Sequence, residues 1–162
     1  MLLIIDASVI IAFYSKDELN EPKLLHELAC NGYNLVIPSA VFEEIENGRK
    51  QTITILNDAL KSSMITVNRE ITLAETLTFG KRYPKLHNGE IQVLLLGQKS
   101  KTNGIPYFCC IDEGPARSIA EKNEVSVKGT RGLVRLLGKK EIISNEKMES
   151  LLYRLNHCNF RA

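Results

Sequence analysis

Short uninterrupted apolar runs alternate along this chain with stretches whose apolar residues recur at helical spacing. Leu2–Ile5 is continuously apolar, as in a strand buried on both faces. Asn34–Ile37, Met64–Val67, Tyr107–Ile111 and Val125–Val127 read as further strands. Helical periodicity covers Ala7–Phe13, Ser39–Asn47, Thr52–Leu60, Glu70–Arg82, Asn88–Ser100, Glu113–Lys122, Thr130–Leu137 and Asn145–Leu155. Asn20 is placed as the cap of one more helix, with Pro22 in its first turn, and Asn88 as the cap of the helix it opens. Gly48 reads as a helix stop. Strands alternating with helices predict an α/β sandwich with a parallel sheet. No repeat or long linker divides the chain, so residues 1–162 are expected to form one domain.

Composition changes this picture little. Of 162 residues, 44% are hydrophobic, which is ordinary for a folded domain. Lys and Arg number 21 against 19 Asp and Glu, a net charge of +2. So even a balance argues against holding nucleic acid by bulk charge alone, though a local basic groove remains compatible with it. The four cysteines, Cys30, Cys109, Cys110 and Cys158, form no CxxC pair. Structural zinc is therefore disfavoured, even with His157 beside Cys158, and reduced thiols in a cytoplasmic setting are expected. The apolar start MLLIIDASVIIAF has no basic region before it and is interrupted by Asp6. A strand and helix explain it better than a signal peptide or a membrane span.

Four carboxylates stand where a core would prefer apolar residues. Asp6 follows LLII directly, and Asp112 follows YFCCI. Both belong at carboxyl ends of strands, where open parallel sheets bind ligands. If the strands are neighbours, the two acids share a crevice. The plainer account is that each caps the following helix. In PSAVFEEIENG, Glu44 projects between Ala40 and Val41, on the stripe shared with Ile45, while Glu43 points to the opposite side. The plainer account there is a ragged polar helix edge. Glu90 opens the uncharged run IQVLLLG, where it also suits the helix dipole. A carboxylate opening a buried helix must nevertheless be paired, protonated or metal-bound.

Four clustered carboxylates repel one another, and divalent cations remove that repulsion. Hard oxygen ligands suit Mg²⁺ or Mn²⁺. Phosphodiester hydrolysis uses such sites without a Ser, Cys or His nucleophile.

At these positions the chain resembles the PIN-domain nucleases, in the prokaryotic branch close to VapC-type toxins. The matching pieces are IIDASVII, IPSAVFEEI, HNGEIQVLLLG and CIDEGPARSIAEKNEVSVKGTRGLV, in that order. The resemblance implies a three-layer α/β/α sandwich with a central parallel sheet and Mg²⁺- or Mn²⁺-dependent cleavage of single-stranded or structured RNA. Asp6, Glu44, Glu90 and Asp112 would be the catalytic, metal-holding acids. Ser8 would support Asp6 or a bound water, and Thr130 would lie beside the acidic pocket. Relatives often carry two consecutive Asp where this chain has Asp112 and Glu113, so Glu113 is a supporting residue that can point away. Arg117 would pair with Glu113 four residues earlier, or contact phosphate or the acid site. The resemblance also implies an antitoxin protein partner and a homodimer, with no membrane.

Basic candidates for holding RNA are Lys81, Arg82 and Lys85, then Lys128 and Arg131, then Lys139 and Lys140. Tyr83 and Tyr107 have the chemistry to stack bases but no assigned role. The alternative function is a non-catalytic RNA-binding or scaffold module on the same fold. A haloacid-dehalogenase-type phosphatase would need an acid two residues after Asp6, where Ser8 stands, and a receiver domain would need an acidic pair there.

Overall fold

The computed structural model describes residues 1–157. Its sheet holds five parallel strands: β1 (Leu2–Ile5), β2 (Asn34–Pro38), β3 (Ile65–Asn68), β4 (Tyr107–Cys110) and β5 (Val127–Lys128). The spatial order is β3-β2-β1-β4-β5. The chain therefore starts in the middle, winds outward to β3, and returns to the other side of β1 to lay down β4 and β5. The reversal point lies between β1 and β4, where Ile5 pairs with Cys110. Parallel sheets place their ligand crevice at such a reversal. Asp6 and Asp112 are thus on neighbouring strand ends, the condition the sequence left open.

Nine helices flank the sheet among the described residues, making a three-layer α/β/α sandwich: α1 (Ala7–Tyr14), α2 (Pro22–Cys30), α3 (Ser39–Gly48), α4 (Lys50–Lys61), α5 (Leu73–Arg82), α6 (Asn88–Thr102), α7 (Gly114–Lys122), α8 (Thr130–Lys139) and α9 (Asn145–His157). Helix α6 lies against β1, β2 and β4, with α3, α5 and α7 beside it. Helix α1 touches α2, α4 and α8, and α9 packs on α8. The central strands β1, β2 and β4 are mostly buried because both faces are covered, which is why they read as apolar runs, while the edge strands β3 and β5 are partly exposed. Gly97 permits the close approach of α6 to the sheet: a Cβ there would lie 2.4 Å from the Cys109 sulfur. No helix is long and apolar enough to cross a membrane among the described residues.

Several boundaries differ from the sequence reading. Asn20 does not cap α2. It sits at φ 52°, a left-handed conformation that Asn tolerates, and Glu21 occupies the cap position. His87, not Asn88, stands at the N-cap of α6. Helix α5 begins at Leu73 rather than Glu70, because Thr72 and Glu75 close a capping box that fixes its first turn. Cys109 and Cys110 are buried thiols, whereas Cys30 is exposed. Cys158, and with it the His157-Cys158 pairing, falls outside the described residues.

Candidate active site

Asp6 ends β1 and caps α1. Its amide donates to the Cys110 carbonyl at 3.0 Å, which ties the strand end to β4. The Ser8 hydroxyl donates to Asp6 Oδ2 at 2.9 Å. The other oxygen, Oδ1, is buried and has no hydrogen-bond partner. The residue is only 3% exposed. Burial pushes its carboxyl up to about 7, opposed by the Ser8 hydrogen bond and reinforced by the charges of Glu90 and Glu44. An orphaned buried oxygen is costly unless something unseen completes it.

Gly89, in the first turn of α6, explains the space in front of Asp6. A Cβ at this position would lie 3.0 Å from Glu44 Oε2 and 3.6 Å from Asp6 Oδ1. The two carboxylates therefore both border the space that Gly89 leaves free of a side chain. Helix α3 turns Glu44 toward the site by burying Val41 and Ile45, but Glu44 itself is exposed. Glu43 does not point to the opposite side as its helical projection implies. It lines the same cleft of about 470 Å³ as Glu44, Asn47 and His87.

Glu90 is 7% exposed and reaches back to accept from the His87 amide at 3.3 Å. It thus performs the capping role and still lies among the acids. Burial raises its pKa; the His87 amide and the His87 charge lower it, and the charges of Glu113 and Glu44 raise it. Asp112 is gripped from α8: the Thr130 amide donates to Oδ1 at 2.7 Å and its hydroxyl to Oδ2 at 2.5 Å. Burial still raises Asp112 from its ordinary value, against those bonds and the Arg117 charge, with Glu113 adding to the rise.

Glu113 is half-buried, and its charge raises both Glu90 and Asp112. The Glu113–Arg117 ion pair is absent among the described residues. Arg117 instead donates to the Ile111 carbonyl at 3.3 Å. A Cβ on Gly129 would meet both Arg117 Nη1, at 2.6 Å, and Asp112 Oδ1, at 2.8 Å, so the guanidinium sits beside the acid because this position is glycine.

The acids do not yet form a closed coordination shell. Among the described residues, no three acidic, His or Cys side chains stand close enough to ligate one ion as arranged. Of the basic candidates, Lys128 and Arg131 line a cleft that reaches Asp112, while Lys139 and Lys140 lie at the far end of α8. Lys81, Arg82 and Lys85 are exposed, at the end of α5 and just beyond it. Neither tyrosine is poised for stacking: Tyr83 packs on Phe79 at 4.9 Å, and the buried Tyr107 accepts from the Ser126 amide. Glu18, which the sequence reading passed over, carries a buried oxygen without a partner. Burial raises its pKa, the Arg49 charge lowers it, and Asp112 raises it. Its run SKDELNE looks like an ordinary solvated loop, so no pattern marked it.

A family model described as a PIN domain matches residues 2–162. No curated protein matches the chain.

Proposed function

The chain belongs to the PIN-domain family, a nuclease fold, and from that premise we propose that it is a divalent-metal-dependent endoribonuclease acting on single-stranded RNA. Asp6, Glu44, Glu90 and Asp112 would hold the metal. The observation that carries the reading is the orphaned Asp6 Oδ1, buried and bordering, with Glu44, the space that Gly89 leaves free. A cation fits that oxygen in a way that a core residue does not: it supplies the missing partner and relieves the mutual repulsion that helps raise Asp6. The donors are all carboxylate oxygens, which suits Mg²⁺ or Mn²⁺ over softer metals.

Bound there, such an ion supplies Lewis acidity toward a phosphoryl oxygen and toward an attacking water. The protein's own residues do the rest. Ser8 holds Oδ2 of Asp6 so that Oδ1 keeps its direction. Thr130 fixes both oxygens of Asp112. Gly89 keeps the space between Asp6 and Glu44 clear. Glu44, exposed on α3, is the ligand free to swing inward and complete the set. Without metal Asp6 is only partly ionised near pH 7, and the fraction of a proton it carries must leave on binding. Arg117 stands beside Asp112, where a substrate phosphate would arrive.

The test is cleavage of a labelled single-stranded RNA in Mn²⁺, Mg²⁺ and chelator, with Asp6→Asn alongside. Metal-dependent cutting by the wild type alone supports the proposal. RNA binding that survives chelation, with no cutting in any metal, supports a binding module instead. The resemblance to VapC-type toxins extends the proposal to a toxin role, with an antitoxin and a second copy as partners. Growth arrest on induction of the wild type, and not of Asp6→Asn, tests the toxin role. Unaffected growth contradicts it and leaves RNA processing.

A further inference from the structure

The acid centre is flanked by two unlike clefts. Beside Glu44 lies the one lined by Glu43, Asn47 and His87, which holds no Lys or Arg. Beside Asp112 lies a cleft of about 520 Å³ into which Arg117, Lys128, Arg131 and Arg135 all project. That volume is in the range of pockets taking a small ligand, roughly 300–1,000 Å³. Asp112 is the only acid in its lining. None of its four cations is within ion-pair distance of an acid among the described residues.

Two glycines build the cleft. A Cβ on Gly132 would meet the Lys128 stem at 2.4 Å, so the bare first turn of α8 is what lets that lysine lie across it. Lys128 is also held over the Phe108 ring, its ammonium 4.6 Å from the centroid. Gly129 does the same for Arg117. Arg131 is tied to Asn156 of α9. Three of the four cations are therefore positioned rather than free to wander, which lowers the ordering cost of gripping an anion.

We propose that this cleft is a backbone-phosphate subsite for RNA, seating the nucleotide next to the bond being cut. The inference rests on the nuclease reading, because the cleft shares Asp112 with the acid centre. A strand held there leads straight to the acids and leaves across the cation-free cleft. The rival occupant, an acidic protein segment, would need apolar anchoring as well as charge. Val127 is the single apolar side chain larger than glycine in the lining, so a polyanion is the better match.

The test reads binding in chelator, apart from any cleavage. Anisotropy of a labelled twelve-nucleotide oligouridylate is titrated with wild type, Lys128→Gln/Arg135→Gln and Arg135→Gln alone, across a salt series. The expected result is at least a tenfold loss of affinity in the double variant. The salt slope should fall by about 1.4, as two phosphate contacts to a single strand are removed. Arg135 is exposed, so its single variant reports the effect with folding intact. Lys139→Gln/Lys140→Gln, at the other end of α8, should bind like wild type. Unchanged RNA affinity in the double variant overturns the subsite, as does a wild type that does not bind RNA. A poly-glutamate peptide whose binding depends on Lys128 and Arg135, with RNA binding unaltered, overturns it in favour of a protein partner. Binding that follows these variants in a protein that never cuts RNA would sink the nuclease reading, and with it the placement beside a scissile bond, while the cleft's grip on RNA phosphates stands.

Discussion

Thr130 grips both oxygens of Asp112, whereas Asp6, one strand away, has a partner for only one of its two. The two strand-end aspartates are thus built for different degrees of freedom. Asp112 is a fixed wall, and Asp6 presents an open valence. Replacing Thr130 with Val keeps the amide bond and removes the hydroxyl. It should raise Asp112 further and cost roughly 1.5–3 kcal/mol, the scale for a hydrogen bond to a charged group. Thr130→Ser should recover most of that. Urea unfolding of the three proteins is the check, and equal midpoints for Val and Thr would show that the hydroxyl carries no such load.

Asp6 makes apo stability depend on pH. Its folded pKa, about 7, lies above its ordinary value of 3.8. The folded state therefore binds the proton more tightly than the unfolded chain. That contribution is present in full below about pH 4 and is lost as pH rises through about 7. Asp6→Asn should flatten this loss. In chelator the variant should gain on wild type by roughly 1–3 kcal/mol between pH 5 and pH 8, allowing for the lost Ser8 bond. Parallel stability–pH curves would mean that Asp6 titrates normally.

Gly89→Ala separates stability from function. Alanine is the better helix residue by about 1 kcal/mol. Yet its Cβ enters the space between Glu44 and Asp6, with Glu44 Oε2 at 3.0 Å. The melting temperature should hold within a few degrees while metal affinity and cleavage fall about tenfold or more. A variant with full activity would remove Gly89 from the site.

Gly97→Ala acts on the core instead. The new methyl would collide with the Cys109 sulfur between α6 and β4. Overpacking of this kind typically costs about 1–3 kcal/mol. Thermal unfolding should show that loss with metal affinity unchanged, provided the assay temperature stays well below the transition.

Much of the fold was legible because burial on both faces writes strands as unbroken apolar runs, and YFCCI and LLII could hardly be anything else. The acids stood out because they interrupt those runs. Their partners Ser8 and Thr130 were legible through the family resemblance, not through any residue pattern. The grip of Thr130 on Asp112 spans 18 residues of sequence, and only the pairing of β4 with β5 brings them together. Glu113 was expected to be able to turn away, and Arg117 either to pair with it or to contact phosphate or the acid site. The sequence carries i, i+4 spacing, but the Ile111 carbonyl competes for the same guanidinium. Glu43 shows the limit of a helical projection: a cleft wide enough to reach round α3 takes in both neighbours. Glycines 89, 129 and 132 were invisible as site residues, since what matters is the side chain that each lacks.

The central claim is that Asp6 Oδ1 is the open place for a divalent cation. Calorimetric titration of Mn²⁺ into wild type and Asp6→Asn, at pH 7 in two buffers of different ionisation enthalpy, tests it most directly. Wild type should bind with release of a substantial fraction of a proton, because the Asp6 carboxyl is pushed up to about 7. The variant should bind at least tenfold more weakly and release less. Equal affinities, with the same heat in both buffers, would contradict the account.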